Sequence, residues 1–299
     1  MIIFITTSCE KPINVRIPLT SSKLFINSFT QVGNIFEANV GKTVNVLAAR
    51  DTNTYTMNNA LVQLYVNNII TDTLIYNSVS KNYIAKNNTT PSPGNTYLLK
   101  AIASGYDTAE AETITPAAML IQHITRRVKA RKDPAGEDMD EIKIAFQDDG
   151  SEANYYLFSI KLPIYGNDTS ATYSGFGCLN SGDADIERSN INDPTTIDNC
   201  IYSEFFMTDK NFNGRLKEIS LFMLSRYSEP FLNTANNKTY NAIIELNSIT
   251  YNYYKYRKSR DTYINNDDNP FSEPVLIYSN VKNGYGIFSS SNLARDTIR

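Results

Sequence analysis

The sequence predicts a mainly β protein. An amino-terminal β-sandwich of the immunoglobulin or transthyretin kind precedes a second antiparallel β-rich domain with one helix near residues 248–262. Three observations predict it: short runs alternate apolar and polar residues, Asn, Gly and Pro turn signals punctuate them, and only one segment shows helical spacing. A chain of 299 residues forms one large or two ordinary domains. Its 41% hydrophobic and 20% charged residues mark it as globular.

In order along the chain, residues 23–30 are β-prone, and residues 43–48 and 60–66 alternate, the latter run ending at the turn signal Asn67-Asn68. Residues 74–76 and 82–85 read as two further strands. A loop with Pro91, Pro93 and Gly94 leads to a strand at 96–103 and another alternating run ending at Thr115-Pro116. This rhythm gives a sandwich over residues 20–116. In the second domain, 117–299, the run 141–147 stops at Asp148-Asp149-Gly150, and 154–162 is expected as its antiparallel partner. Residues 201–207, 216–224 and 242–249 are further strands. From Ser248 to Ile264, Ile249, Tyr253, Tyr256 and the stem of Arg260 fall on a helical stripe, expected to pack its tyrosines against a sheet.

Charge and composition exclude several functions. With 28 Lys and Arg against 31 Asp and Glu, the chain lacks the basic footprint of a nucleic-acid binder. The basic stretch 126–132 is followed at once by Asp133, Glu137, Asp138, Asp140 and Glu141, and reads as a solvated strand face. The single histidine, His123, sits in no catalytic motif, which removes His-based triads and histidine-rich metal sites. No cofactor or metal is expected, and no apolar run is long enough for a transmembrane helix.

The opening residues Ile2-Ile3-Phe4-Ile5-Thr6-Thr7-Ser8-Cys9 read as the end of a lipoprotein signal, truncated here, with Cys9 as the lipidated residue. The run is shorter than usual and lacks a basic start, so the expected true start lies upstream. Cys178 and Cys200 flank a polar Asp-, Asn- and Ser-rich stretch; in an exported protein a bridge between them is natural, and two free thiols are the alternative.

The carboxy-terminal block permits a resemblance. Asn269-Pro270-Phe271-Ser272-Glu273-Pro274 leads to Asn280 and then to Asn283-Gly284-Tyr285-Gly286-Ile287-Phe288. This resembles the terminal signature of a Bacteroidetes lipoprotein family whose domain has no assigned function. Asp148-Asp149-Gly150 before Asn154-Tyr155-Tyr156, the turn from Asp209 to Gly214, and Ser248-Ile249-Thr250 before the tyrosines resemble its other blocks. The resemblance implies an outer-membrane lipoprotein, encoded beside TonB-dependent receptors and assisting uptake; it supplies no catalytic residues. Physically, the signature also reads as a folding device. Gly284 and Gly286 would allow close backbone approach, Asn280 and Asn283 would bond loop backbone, and Tyr285, Ile287 and Phe288 would fill core.

Three functions follow as expectations. The first is a non-enzymatic lipoprotein that binds substrate for a TonB-dependent receptor or gates it, with aromatic loops stacking on a sugar or peptide. The second is a structural or adhesive surface lipoprotein. The third is a hydrolase using acids among Asp148, Asp149, Asp183, Asp185 and Glu187, which could instead hold Ca²⁺.

Overall fold

In a computed structural model, the structure describes residues 21–44, 55–164, 172–174, 178–188, 201–202, 204–233, 238–266, 273 and 275–298. Cys9, Cys200, Asn269, Pro270, Phe271 and Pro274, and most of the expected strand at 43–48, lie outside these residues. The described chain is mainly β.

The amino-terminal strands are β1 (Leu24–Gln31), β2 (Glu37–Lys42), β3 (Leu61–Val66), β4 (Ile69–Asn77), β5 (Asn82–Ala85), β6 (Thr96–Ile102) and β7 (Ala109–Ile114). They alternate as the sequence predicts. Leu24 and Ile26, Val62 and Leu64, and Tyr97 and Leu99 point into one core, which continues through Phe36, Val40 and Tyr83. The Asn67-Asn68 turn between β3 and β4 has positive φ at both residues, the type I′ pattern that suits a two-residue hairpin.

The remaining strands are β8 (Ile121–Lys132), β9 (Asp138–Gln147), β10 (Tyr155–Ile164), β11 (Thr172–Ser174), β12 (Cys178–Leu179), β13 (Ile186–Arg188), β14 (Ile201–Tyr202), β15 (Glu204–Thr208), β16 (Leu216–Leu224), β17 (Phe231–Asn233), β18 (Lys238–Tyr240), β19 (Ile243–Ile249), β20 (Val281–Lys282) and β21 (Tyr285–Thr297). A short helix, α1, covers Ser225–Ser228, and α2 covers Tyr251–Asn266. The second core lies between a sheet of β16, β9 and β8 and the run β13-β15-β10-β19-β21. Among the described residues no helix is long and apolar enough to cross a membrane.

Three expectations need correction. First, β10 is not hydrogen-bonded to β9. β9 is flanked by β8 and β16, whereas β10 pairs with β15 and β19 in the opposite sheet. The Asp148–Asn154 connection therefore crosses between sheets, and the two strands meet through side chains, with the Phe146 ring 5.2 Å from Tyr156 and 5.5 Å from Phe158. Period-two alternation identifies the buried face of a strand but not its neighbour. Second, α2 starts at Tyr251, because Ile249 ends β19 and Thr250 caps the helix, its Oγ1 accepting the N–H of Tyr253 at 3.2 Å. Its packed face uses Tyr253, Tyr254, Arg257 and Asp261, while Arg260 is exposed. Third, Tyr285 is 53% exposed, whereas Ile287 and Phe288 are buried.

The two cores are joined by one strand. The first half of β21 runs parallel to β1, from Phe25↔Tyr285 to Gln31↔Ser291. Its second half runs antiparallel to β19, from Ile249↔Ser291 to Ile243↔Thr297. β20, at the other side of the Asn283-Gly284 turn, pairs with β7. The sheet order β21-β1-β2-β5-β4-β3-β6-β7-β20 thus begins and ends in the same hairpin, so the carboxy-terminal segment closes the amino-terminal sandwich. Val281 and Phe288 are members of its core.

Candidate functional site

Along β1 the buried residues are Leu24, Ile26, Ser28 and Thr30, which turns Asn27, Phe29 and Gln31 to the opposite face. That face meets α2. The Phe29 ring lies 5.4 Å from Tyr253 at 73°, an edge-to-face contact, and 5.7 Å from Tyr256. Phe29 nevertheless stays 53% exposed. On one side of it is a cleft of about 290 Å³, lined by Gln31, Asn247, Ile249, Ser291, Leu157 and Tyr253 among others. On the other side an open groove of about 790 Å³ runs over Asn27, Ile35, Glu37, Asn39, Asn82 and Ile84. Phe29 and Asn34 border both.

The polar side chains here are mostly amides and hydroxyls, with Thr30, Ser289, Ser290 and Ser291 beside Gln31, Asn34 and Asn247 in the cleft and Asn27, Asn39 and Asn82 in the groove. Gln31 Nε2 donates to Asn247 Oδ1 at 3.1 Å, and Asn39 Nδ2 donates to Asn82 Oδ1 at 3.0 Å. Asn82 Nδ2 in turn donates to Glu37. The side-chain amides of Asn27 and Asn34 make no hydrogen bond among the described residues.

The wall of the cleft is held firmly. Arg257 pairs with Glu204 and donates to Tyr253 Oη at 3.0 Å. Tyr254 Oη donates to Glu187 Oε2 at 2.6 Å, and Lys258 reaches the same carboxylate at 3.2 Å. Burial, with Glu187 as the acceptor, pushes the Tyr254 hydroxyl well above the ordinary tyrosine range. On the outer side, Tyr278 Oη donates to Asn252 Oδ1 at 2.6 Å and the Tyr278 N–H donates to Ser259 Oγ at 2.8 Å.

The signature residues are not at this cleft. The Phe288 N–H donates to Asn280 Oδ1 at 2.9 Å, and Asn280 Nδ2 donates to the carbonyls of Phe288 at 2.8 Å and Glu112 at 3.1 Å. Asn283, with φ of +56°, donates to the Thr108 carbonyl at 3.3 Å. A Cβ at Gly284 would stand 2.5 Å from the Leu24 carbonyl oxygen, and one at Gly286 2.1 Å from that of Ile26. These residues bind β20 and β21 to β1 and β7. Glu273 is exposed.

The acids considered for hydrolysis are scattered and engaged. Asp148 accepts from Tyr156 Oη and from the Gly214 N–H at 2.7 Å, and burial raises its pKa. Asp149 accepts the Ser151 N–H at 3.0 Å. Asp183 and Asp185 share Lys217, whose Nζ lies 2.9 Å from Asp183; burial opposes ionisation of Asp185, but Lys217 and Asn211 hold its carboxyl below the usual range. Among the described residues no group of three His, Cys, Asp or Glu could hold a metal ion.

Asp140 is the most enclosed carboxylate. Burial disfavours its charge, yet Ser225, Ser228, the Lys129 N–H and Arg126 all donate to it and hold it at about 2. It fastens the β8 bulge and α1 to β9. In the rest of the basic stretch Arg127 meets Glu141 and both Lys129 and Lys132 meet Asp138 across the strands, while Arg131 lies over the Phe222 ring. His123 is exposed, 3.9 Å from Glu218. β12 pairs with β14, Cys178 opposite Tyr202.

Sequence reasoning marked the tyrosines of α2 but not Phe29, Asn27, Gln31 or Asn247. The available signal was Phe29 on the polar phase of an alternating strand. Their convergence depends on β1 and β21, more than 250 residues apart, lying side by side.

The model of a family described as a domain of unknown function (DUF4249) matches residues 10–297. None of the curated proteins matches. Among solved structures, the chain is similar to the chitinase ChiA74 from Bacillus thuringiensis at 13% identity and a TM-score of 0.20, covering 76% of this chain and 30% of that one. It is also similar to a putative membrane anchored protein from Corynebacterium diphtheriae at 11% identity and a TM-score of 0.20, covering 95% of this chain and 61% of that one. The chain thus spans less than two thirds of either structure's length.

Proposed function

This chain belongs to the DUF4249 family, and from that premise we propose that it is a non-enzymatic envelope lipoprotein that assists a TonB-dependent outer-membrane receptor in nutrient uptake. The observation that carries the reading is the cleft beside Phe29: an open, amide- and aromatic-lined site on a sheet shared by both cores, beside a helix fixed by ion pairs. Ligands are held there without chemistry, and the receptor takes them on. The resemblance of the carboxy-terminal block to Bacteroidetes lipoproteins supports the receptor as partner. The run ending at Cys9 supports an acyl anchor in the outer membrane.

Purification of a tagged full-length chain from the native membrane tests this. A receptor of the TonB-dependent class is expected to co-purify, Cys9→Ala to release the chain from the membrane fraction, and deletion to abolish uptake of one nutrient. Absence of a receptor partner together with unchanged uptake refutes the proposal. A structural or adhesive lipoprotein is the second reading, favoured by the strand β21, which pairs with β1 of one core and with β19 of the other. Loss of attachment with uptake intact would select it.

A further inference from the structure

The lining of the cleft identifies a class of ligand. Among its lining residues none is charged. Glu37 in the neighbouring groove is engaged by Asn82, and Arg257 behind Tyr253 is neutralised by Glu204. An ionic ligand would give up water there with no opposite charge to receive it.

A peptide is disfavoured for a different reason. Extended peptides gain affinity by adding a strand to an open sheet edge. The floor of this cleft is β1, β21 and β19, each of which has a strand on either side in the sheet order, so none is a sheet edge. The cleft is described by the side chains that line it.

Those side chains suit hydroxyl groups. Each amide places a donor and an acceptor next to one another, the pattern that adjacent hydroxyls match. After the bond between Gln31 and Asn247, the Gln31 Oε1 and the Asn247 Nδ2 remain, and Asn34 is uncommitted among the described residues. Phe29, propped edge-on by Tyr253 and tilted against Tyr256, presents an apolar plate beside them. We propose that the cleft and its groove bind an oligosaccharide of uncharged sugars, one ring stacked on Phe29 and its hydroxyls held by Gln31, Asn34 and Asn247. The two spaces, about 290 and about 790 Å³, are of the size of small-ligand sites. This rests on the reading of the cleft as the ligand site for uptake.

Isothermal titration of the full-length chain tests it, using the hexasaccharides of maltose, cellulose and mannan, with hexagalacturonate and a neutral hexapeptide as counter-probes. One neutral hexasaccharide is expected to bind. Phe29→Ala and Asn247→Ala should each weaken that binding about tenfold, the size of one lost stacking or polar contact, with the thermal midpoint held. Phe29→Tyr should retain it. Binding of the galacturonate or the peptide in place of a neutral sugar, no binding by any neutral hexasaccharide, or affinity unchanged in Phe29→Ala overturns the proposal. If a receptor still co-purifies while no neutral sugar binds, the ligand class fails and the uptake role stands. If a sugar binds and no receptor co-purifies, the reverse holds.

Discussion

Replacing Gly286 with Ala is expected to loosen the seam on which both cores depend. Gly286 has φ of +106°, a conformation that costs an L residue about 1–2 kcal/mol. The added Cβ would lie 2.1 Å from the Ile26 carbonyl oxygen and 2.9 Å from its carbon. Both are backbone atoms of a strand in mid-sheet, so neither yields as a side-chain tip would. Carbon contacts are comfortable at about 3.5–4.0 Å, so β1 and β21 must part by more than about 1 Å. Two ladder hydrogen bonds weakened at roughly 1 kcal/mol each bring the total to about 3–4 kcal/mol. Urea unfolding followed by far- and near-ultraviolet circular dichroism measures this. Both signals should shift to the same lower midpoint, because the tyrosine cluster and the amino-terminal core hang on one strand. Gly136→Ala is the control: φ is +87° but nothing lies within 4 Å, so only the conformational cost remains. If Gly286→Ala falls within about 1 kcal/mol of that control, the steric reasoning is refuted.

Other consequences are equally direct. Asn280→Ala removes three side-chain hydrogen bonds to backbone and should cost about 2–3 kcal/mol in denaturant unfolding. Asp140 is held at about 2 in the fold against an ordinary 3.8, so its stabilisation is full above about pH 4 and lost as pH falls towards 2. The loss is about 2 kcal/mol, and the unfolding midpoint of Asp140→Asn should lack this pH step. The Asp148 carboxyl, raised by burial, acts the other way: its contribution is present below its ordinary value and lost as pH rises through the folded value, a slope that Asp148→Asn should flatten. Thiol titration of the denatured chain should show two additional thiols after reduction if Cys178 and Cys200 bridge, the pairing expected for an exported protein.

Much of the fold was legible. Residues 216–224 coincide with β16, and 60–66, 141–147, 154–162 and 242–249 fall on β3, β9, β10 and β19. Alternation registers because one face of each strand is buried and the other is not. The helix was legible for its spacing, but not its face. An α2 packed through Tyr253, Tyr254 and Arg257 over Phe206 buries amphipathic side chains that no apolar stripe announces. Tyr285 was misplaced because it shares the phase of Ile287, the register to β1 running unbroken through Gly286, yet it stands at the first position of β21 and is left exposed.

The sequence by itself determined the mainly β class, most strand positions, the small net charge of −3 and the presence of a single histidine. Those properties are local: residue types, their period and their sum. Only the tertiary structure decided that β9 and β10 face each other across a core rather than pair, that the carboxy-terminal signature closes the amino-terminal sandwich, and that Phe29 meets Tyr253 beside Asn247. These depend on which strand lies beside which. That choice is made by the packing of whole faces between residues hundreds of positions apart, and alternation along one strand carries no record of it.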